Sequence, residues 1–151
     1  MTVTDLGGAV SPAIYNLPKE LALQIWRLSC TYNEQRQGGA SESGLMEVAW
    51  ELFLELTPQE NLAYLGRTFA RRGLTGDNEP VYKRKSYSLP KDLTHRVGRR
   101  LNELKELCAS GRAEQPTLWL LAEAAQIHFV EQPPDVVSES LSRFDVRKKR
   151  R

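Results

Sequence analysis

The stretch Lys83-Arg84-Lys85-Ser86-Tyr87-Ser88-Leu89-Pro90-Lys91-Asp92-Leu93 constrains this chain more than any other. Proline fixes φ, has no amide proton and is at home in the first turn of a helix, so Pro90 sets an extended segment before it and a helix after it. Residues 81–89 read as a strand. Residues 91–108 read as an amphipathic helix with Leu93, Val97, Leu101, Leu104 and Cys108 on one face. Side chains alternate along a strand, so Arg84, Ser86 and Ser88 share one side while Lys83, Lys85, Tyr87 and Leu89 share the other. Tyr87 and Leu89 belong toward a core, with Lys85 near an edge. One guanidinium and two hydroxyls then face solvent.

Four further helices are predicted. Asn16 and Pro18 open the first, over 18–36, with Leu21, Ile25, Leu28 and Tyr32 in a stripe. A second, about 43–56, is apolar on most sides and belongs at the centre. Thr57-Pro58-Gln59-Glu60 is a capping box that starts a third, about 58–72. Another, about 117–131, is again apolar nearly all round and stops at Pro133-Pro134. The domain organisation expected is a flexible lead over 1–13, a helical region over 14–73, a turn-rich linker over 74–80, a strand-helix-helix module over 81–131, and a polar, basic, disordered tail over 132–151. The fold class is mainly α, a helical N-terminal region followed by the strand-helix-helix unit.

An internal echo runs through the chain. Tyr15-Asn16-Leu17-Pro18-Lys19-Glu20-Leu21 aligns with Tyr87-Ser88-Leu89-Pro90-Lys91-Asp92-Leu93 at an offset of 72. A degenerate duplication of a strand-helix-helix unit accounts for it, and so does the ordinary use of Leu-Pro-Lys as a helix opening. The first copy, Pro12 to Leu17, has no basic residue on its strand, so if the two copies paired within one chain only one strand would carry the basic chemistry.

Charge is segregated. Residues 1–66 hold three basic and eight acidic side chains, and residues 67–112 hold twelve basic and five acidic. Residues 113–142 hold five acidic and no basic, and residues 143–151 hold six basic and one acidic. Blocks of this kind predict a localised positive face, with solvated helix surfaces as the plainer account. No apolar run reaches the length of a membrane span, and Met1–Val10 lacks the charge and apolar core of a secretory signal, so a cytoplasmic protein is expected. Cys30 and Cys108 have no CxxC partner and read as reduced thiols. His95 and His128 are the only histidines and form no cluster with metal spacing, and no phosphate-binding Gly loop or Gly-x-Ser-x-Gly elbow occurs. Neither an enzyme nor a cofactor is expected. Trp26, Trp50 and Trp119 read as core or interface anchors.

The segment Lys83–Leu93, with the helices after it, resembles the ribbon-helix-helix family of DNA-binding proteins, the group of the Arc and methionine repressors. In that family a short strand ends in apolar-Pro, two helices follow, and two chains pair their strands antiparallel. The likeness covers about a third of the chain and implies a homodimer that binds duplex DNA, with Arg84, Ser86 and Ser88 on the base-reading side. Lys83, Lys85, Lys91 and the tail Arg147-Lys148-Lys149-Arg150-Arg151 would attract phosphates. The break over Ala109–Pro116 is longer than the family's tight turn. Pro116 removes one amide where the family holds a phosphate, and Thr117 offers a hydroxyl there.

These readings predict sequence-specific duplex DNA binding, in transcription regulation, plasmid maintenance or an antitoxin-like role, by a module that pairs its strand with a second chain. The alternative is a helical adaptor whose acidic N-terminal half binds a protein partner, with the basic segments only solvated.

Overall fold

Two strands, β1 (Val10–Pro18) and β2 (Tyr82–Pro90), pair antiparallel within the chain, and each runs directly into a helix. The computed structural model describes residues 10–36, 41–74, 82–109 and 116–150. Its order is β1, α1 (Lys19–Arg36), α2 (Glu42–Glu55), α3 (Pro58–Leu74), β2, α4 (Lys91–Ala109), α5 (Leu118–Val130) and α6 (Pro134–Arg150). The protein is mainly helical with one small two-stranded sheet. Among the described residues, no helix is long and apolar enough to cross a membrane.

The register explains how a segment with two prolines can be a strand. Pro12 faces Ser88, Ile14 faces Ser86, Asn16 faces Arg84 and Pro18 faces Tyr82. Antiparallel pairs alternate between those that exchange backbone hydrogen bonds and those that do not. Pro12, Pro18 and Pro90 have no amide to exchange, and all three stand at even-numbered positions. The even pairs are therefore the non-bonded ones, and the prolines cost the ladder nothing.

The two halves follow one plan. Tyr15, Leu17, Pro18 and Lys19 correspond to Tyr87, Leu89, Pro90 and Lys91, 72 positions on. After four extra residues around the α4–α5 connection the spacing becomes 76, and Leu45, Glu47, Phe53, Glu55 and Pro58 correspond to Leu121, Glu123, Phe129, Glu131 and Pro134. Both middle helices start alike: the Ser41 hydroxyl accepts from the Gly44 amide, and the Thr117 hydroxyl accepts from the Leu120 amide. Thr57 and Glu60 form the capping box in front of α3.

The halves interlock. α2 and α5 cross at the centre, α3 packs on α5 and α6 on α2, and each middle helix leans on the strand of the opposite half. One core gathers Tyr15, Leu17, Trp50, Phe53, Tyr87 and Leu89 beneath the ribbon, and a second gathers Ile25, Leu45, Leu52, Phe129, Val137 and Leu141. The ion pairs repeat this exchange. Arg67 of α3 bonds Glu131 just after α5, and its counterpart Arg143 of α6 lies 3.7 Å from Glu55 at the end of α2. Reciprocal contacts between equivalent residues are the mark of a two-fold interface, here folded into one chain.

Three sequence expectations are corrected. The partner of β2 is β1 of the same chain, so the ribbon is complete without a second copy. The flexible lead gives way to a strand at Val10, and the 14–73 region is no accessory unit: it supplies the end of β1 and buried residues of both cores. The 132–151 tail contains α6, whose Val137 and Leu141 are buried against α2. Its apolar residues Val137, Leu141 and Phe144 recur at helical spacing, a signal hidden behind Pro133-Pro134 and a polar composition. Trp50 is fully buried, whereas Trp26 and Trp119 are half exposed.

Candidate functional site

The ribbon has two faces with different jobs. Inward go Tyr15 and Leu17 from β1 and Tyr87 and Leu89 from β2, all buried. The tyrosine hydroxyls are satisfied from the middle helices: Trp50 Nε1 donates to Tyr15 Oη at 3.2 Å, and Gln126 Nε2 donates to Tyr87 Oη at 3.2 Å. Trp50 and Gln126 are themselves equivalent positions, 76 apart. Burial pushes both phenols up to about 12, so they stay neutral hydrogen-bonding posts. The ribbon thus rests on a rigid, matched base.

Outward go Pro12, Ile14 and Asn16 from β1 and Arg84, Ser86 and Ser88 from β2. All are exposed except Asn16, which is half-buried. The alternation read from the sequence for 83–89 holds, and Arg84, Ser86 and Ser88 share one solvent-facing row. Because these residues belong to non-bonded pairs, the Cα atoms of facing partners are only about 4.5 Å apart. Asn16 and Arg84 therefore present their amide and guanidinium side by side.

Both ribbon edges are held by the second residue of a middle helix. Ser43 of α2 accepts from the Ser88 amide at 3.0 Å, and Trp119 Nε1 of α5 donates to the Ile14 carbonyl at 3.2 Å. These two contacts occupy backbone groups that would otherwise template a further strand. They also bring the N-terminal ends of α2 and α5 up to the ribbon, one on each side. The ends differ in charge. The first turn of α2 contains Glu42, while that of α5 contains no acid. Thr117 is exposed at the α5 end.

The remaining basic residues divide. Lys83 and Lys91 are exposed near the two ends of β2. Lys85 points to the inner side and bonds both carboxylate oxygens of Glu42 at 3.3 Å. Arg96 pairs with Glu51, and Arg100 donates to the Leu54 and Leu56 carbonyls at the end of α2. The basic block at 67–112 thus serves partly as glue: Arg67, Lys85 and Arg96 meet acids of the opposite half. Arg147, Lys148, Lys149 and Arg150 fall in the last turns of α6, and Arg151 lies outside the described residues.

Sequence reasoning on one strand missed Ile14, Asn16, Ser43 and Trp119. The alternation of Ala13, Tyr15 and Leu17 against Pro12, Ile14 and Asn16 was the available signal, masked by two prolines. Among the described residues, no group of three His, Cys, Asp or Glu is placed to hold a metal ion. Comparison with family models, characterised proteins and solved structures produced no match, so the role of the ribbon has to be argued from its own side chains.

Proposed function

We propose that this protein binds duplex DNA by laying the outer face of its ribbon in the major groove, as a regulator of transcription, plasmid maintenance or an antitoxin-like process. The observation that carries the reading is the contrast between the two faces. The inner face buries Tyr15, Leu17, Tyr87 and Leu89, while the outer face presents Arg84, Ser86, Ser88 and the half-buried Asn16. A two-stranded ribbon fits the major groove, where Arg pairs two donors with a guanine edge and Ser or Asn bonds other base edges. Lys83, Lys91 and the Thr117 end of α5 lie outside that row, in the role of phosphate contacts, and the 147–151 cations are assigned the same role. Lys85 is withdrawn from it by Glu42.

A mobility-shift titration over a salt series tests this. Arg84→Ala should weaken binding to preferred sites by about 1–3 kcal/mol and leave non-preferred sites nearly unchanged. Removing residues 147–151 should weaken all duplexes alike and flatten the salt dependence. Absence of any shift at low salt rejects the proposal. The second reading, a protein-binding adaptor, draws on Leu23, Trp26 and Cys30, which are all exposed along one side of α1.

A further inference from the structure

We infer that the ribbon reads a non-palindromic duplex, one chain per site, with its Asn16–Arg84 end facing adjacent adenine and guanine contacts and its Pro12–Ser88 end facing a half without them. This rests on the DNA-binding reading and specifies its target. The pseudo-two-fold axis passes between Ile14 and Ser86, which face each other and are also equivalent at the 72-residue offset. In a two-fold ribbon the outer residues would repeat across this axis, and a palindrome would be the matching target.

Here the buried pairs and the exposed row behave oppositely. The buried inner positions keep the same residue in both halves, Tyr15 with Tyr87 and Leu17 with Leu89, while the other inner pairs, Ser11 with Lys83 and Ala13 with Lys85, differ. On the outer face every equivalent pair differs: Pro12 with Arg84, Ile14 with Ser86, Asn16 with Ser88. The buried pairs are alike, whereas the exposed row that would meet the bases differs at each pair. Arg84 suits the O6 and N7 acceptors of guanine. Asn16 suits the N6 and N7 of adenine, and Ile14, 41% exposed beside the axis, suits a thymine methyl. The Arg84–Asn16 pair places the guanine and adenine contacts at neighbouring steps. The flanks are unequal too, since Glu42 sits at the α2 end, against β2, and no acid sits in the first turn of α5, against β1.

Selection of the full-length protein against a random duplex library tests this, followed by stoichiometry on the enriched sequence. A consensus without two-fold symmetry, bound one chain to one duplex, is the expected result. Arg84→Ala should then lower affinity about 10- to 100-fold through one side of the consensus only. Asn16→Ala should relax the neighbouring step on that same side and Ile14→Ala the centre, with thermal unfolding of each variant monitored to establish that it folds. A palindromic consensus, or two chains per site, overturns the inference while leaving DNA binding intact. Binding without sequence preference overturns it as well. No binding to any duplex at low salt overturns the DNA-binding reading and this inference with it.

Discussion

Tyr15 and Tyr87 hold the same place in the two halves yet meet different partners, an indole from Trp50 and an amide from Gln126. Trp50 is fully buried, so its N–H has no water to turn to if Tyr15 loses its hydroxyl. Tyr15→Phe should cost about 1–3 kcal/mol, seen as a lower urea midpoint with unchanged slope. His128 carries a second residue-scale prediction. Its ring packs edge-on against Tyr64 and Phe53, with centroids 5.0 and 6.1 Å away. Burial holds the imidazole below its ordinary value, against the opposing pull of Glu131, Glu60 and Glu55. The unfolded chain takes up the proton near pH 6.5, whereas the folded chain does so only at lower pH. Stability present at neutral pH should therefore decline as pH falls through about 6.5. Leu52 stands at the equivalent position of α2, so the fold already accommodates leucine there. His128→Leu should remove part of the decline in melting temperature between neutral and mildly acidic buffer; an unchanged pH profile would exclude His128 as its source.

At the level of elements, legibility followed the kind of signal each segment carries. α1 to α5 show either a stripe or dense apolar content, and Leu-Pro-Lys marks the start of both α1 and α4, so all five were readable to within about two residues. β2 was readable because Tyr87 and Leu89 alternate with polar residues. β1 has the same alternation, but proline usually argues against a strand, and only the register shows that Pro12 and Pro18 fall where no amide is needed. α6 was hidden for a different reason: Val136, Val137 and Leu141 are its apolar residues in the first two turns, and they matter only because α2 of the opposite half receives them. Periodicity reports what a helix could bury, not what is available to bury it. Leu141→Ala tests this directly. Leu141 is fully buried, so the variant should lose about 2–5 kcal/mol in denaturant unfolding. A disordered tail would lose nothing.

For the whole molecule, two halves share their cores so completely that neither can satisfy its apolar faces alone. The acidic and basic blocks, which in sequence suggested a surface field, also meet across this internal interface: Lys85 with Glu42, Arg96 with Glu51, Arg67 with Glu131, Arg143 with Glu55. All four pairs keep some solvent contact, and such pairs contribute about 0–1 kcal/mol each and weaken with salt. The buried residues of both cores contribute through apolar burial, which salt does not screen. Phosphate contacts behave in the opposite way, losing affinity steeply as salt displaces the advantage of counterion release. Salt should therefore separate what holds the protein together from what it does. With a protease site placed between Leu74 and Tyr82 and cut, the two halves should remain associated in 1 M salt, as judged by sedimentation. The same cut protein should bind duplex DNA at low salt and release it well below that concentration. Dissociation of the halves in high salt would mean that the ion pairs, rather than the interlocked cores, carry the interface.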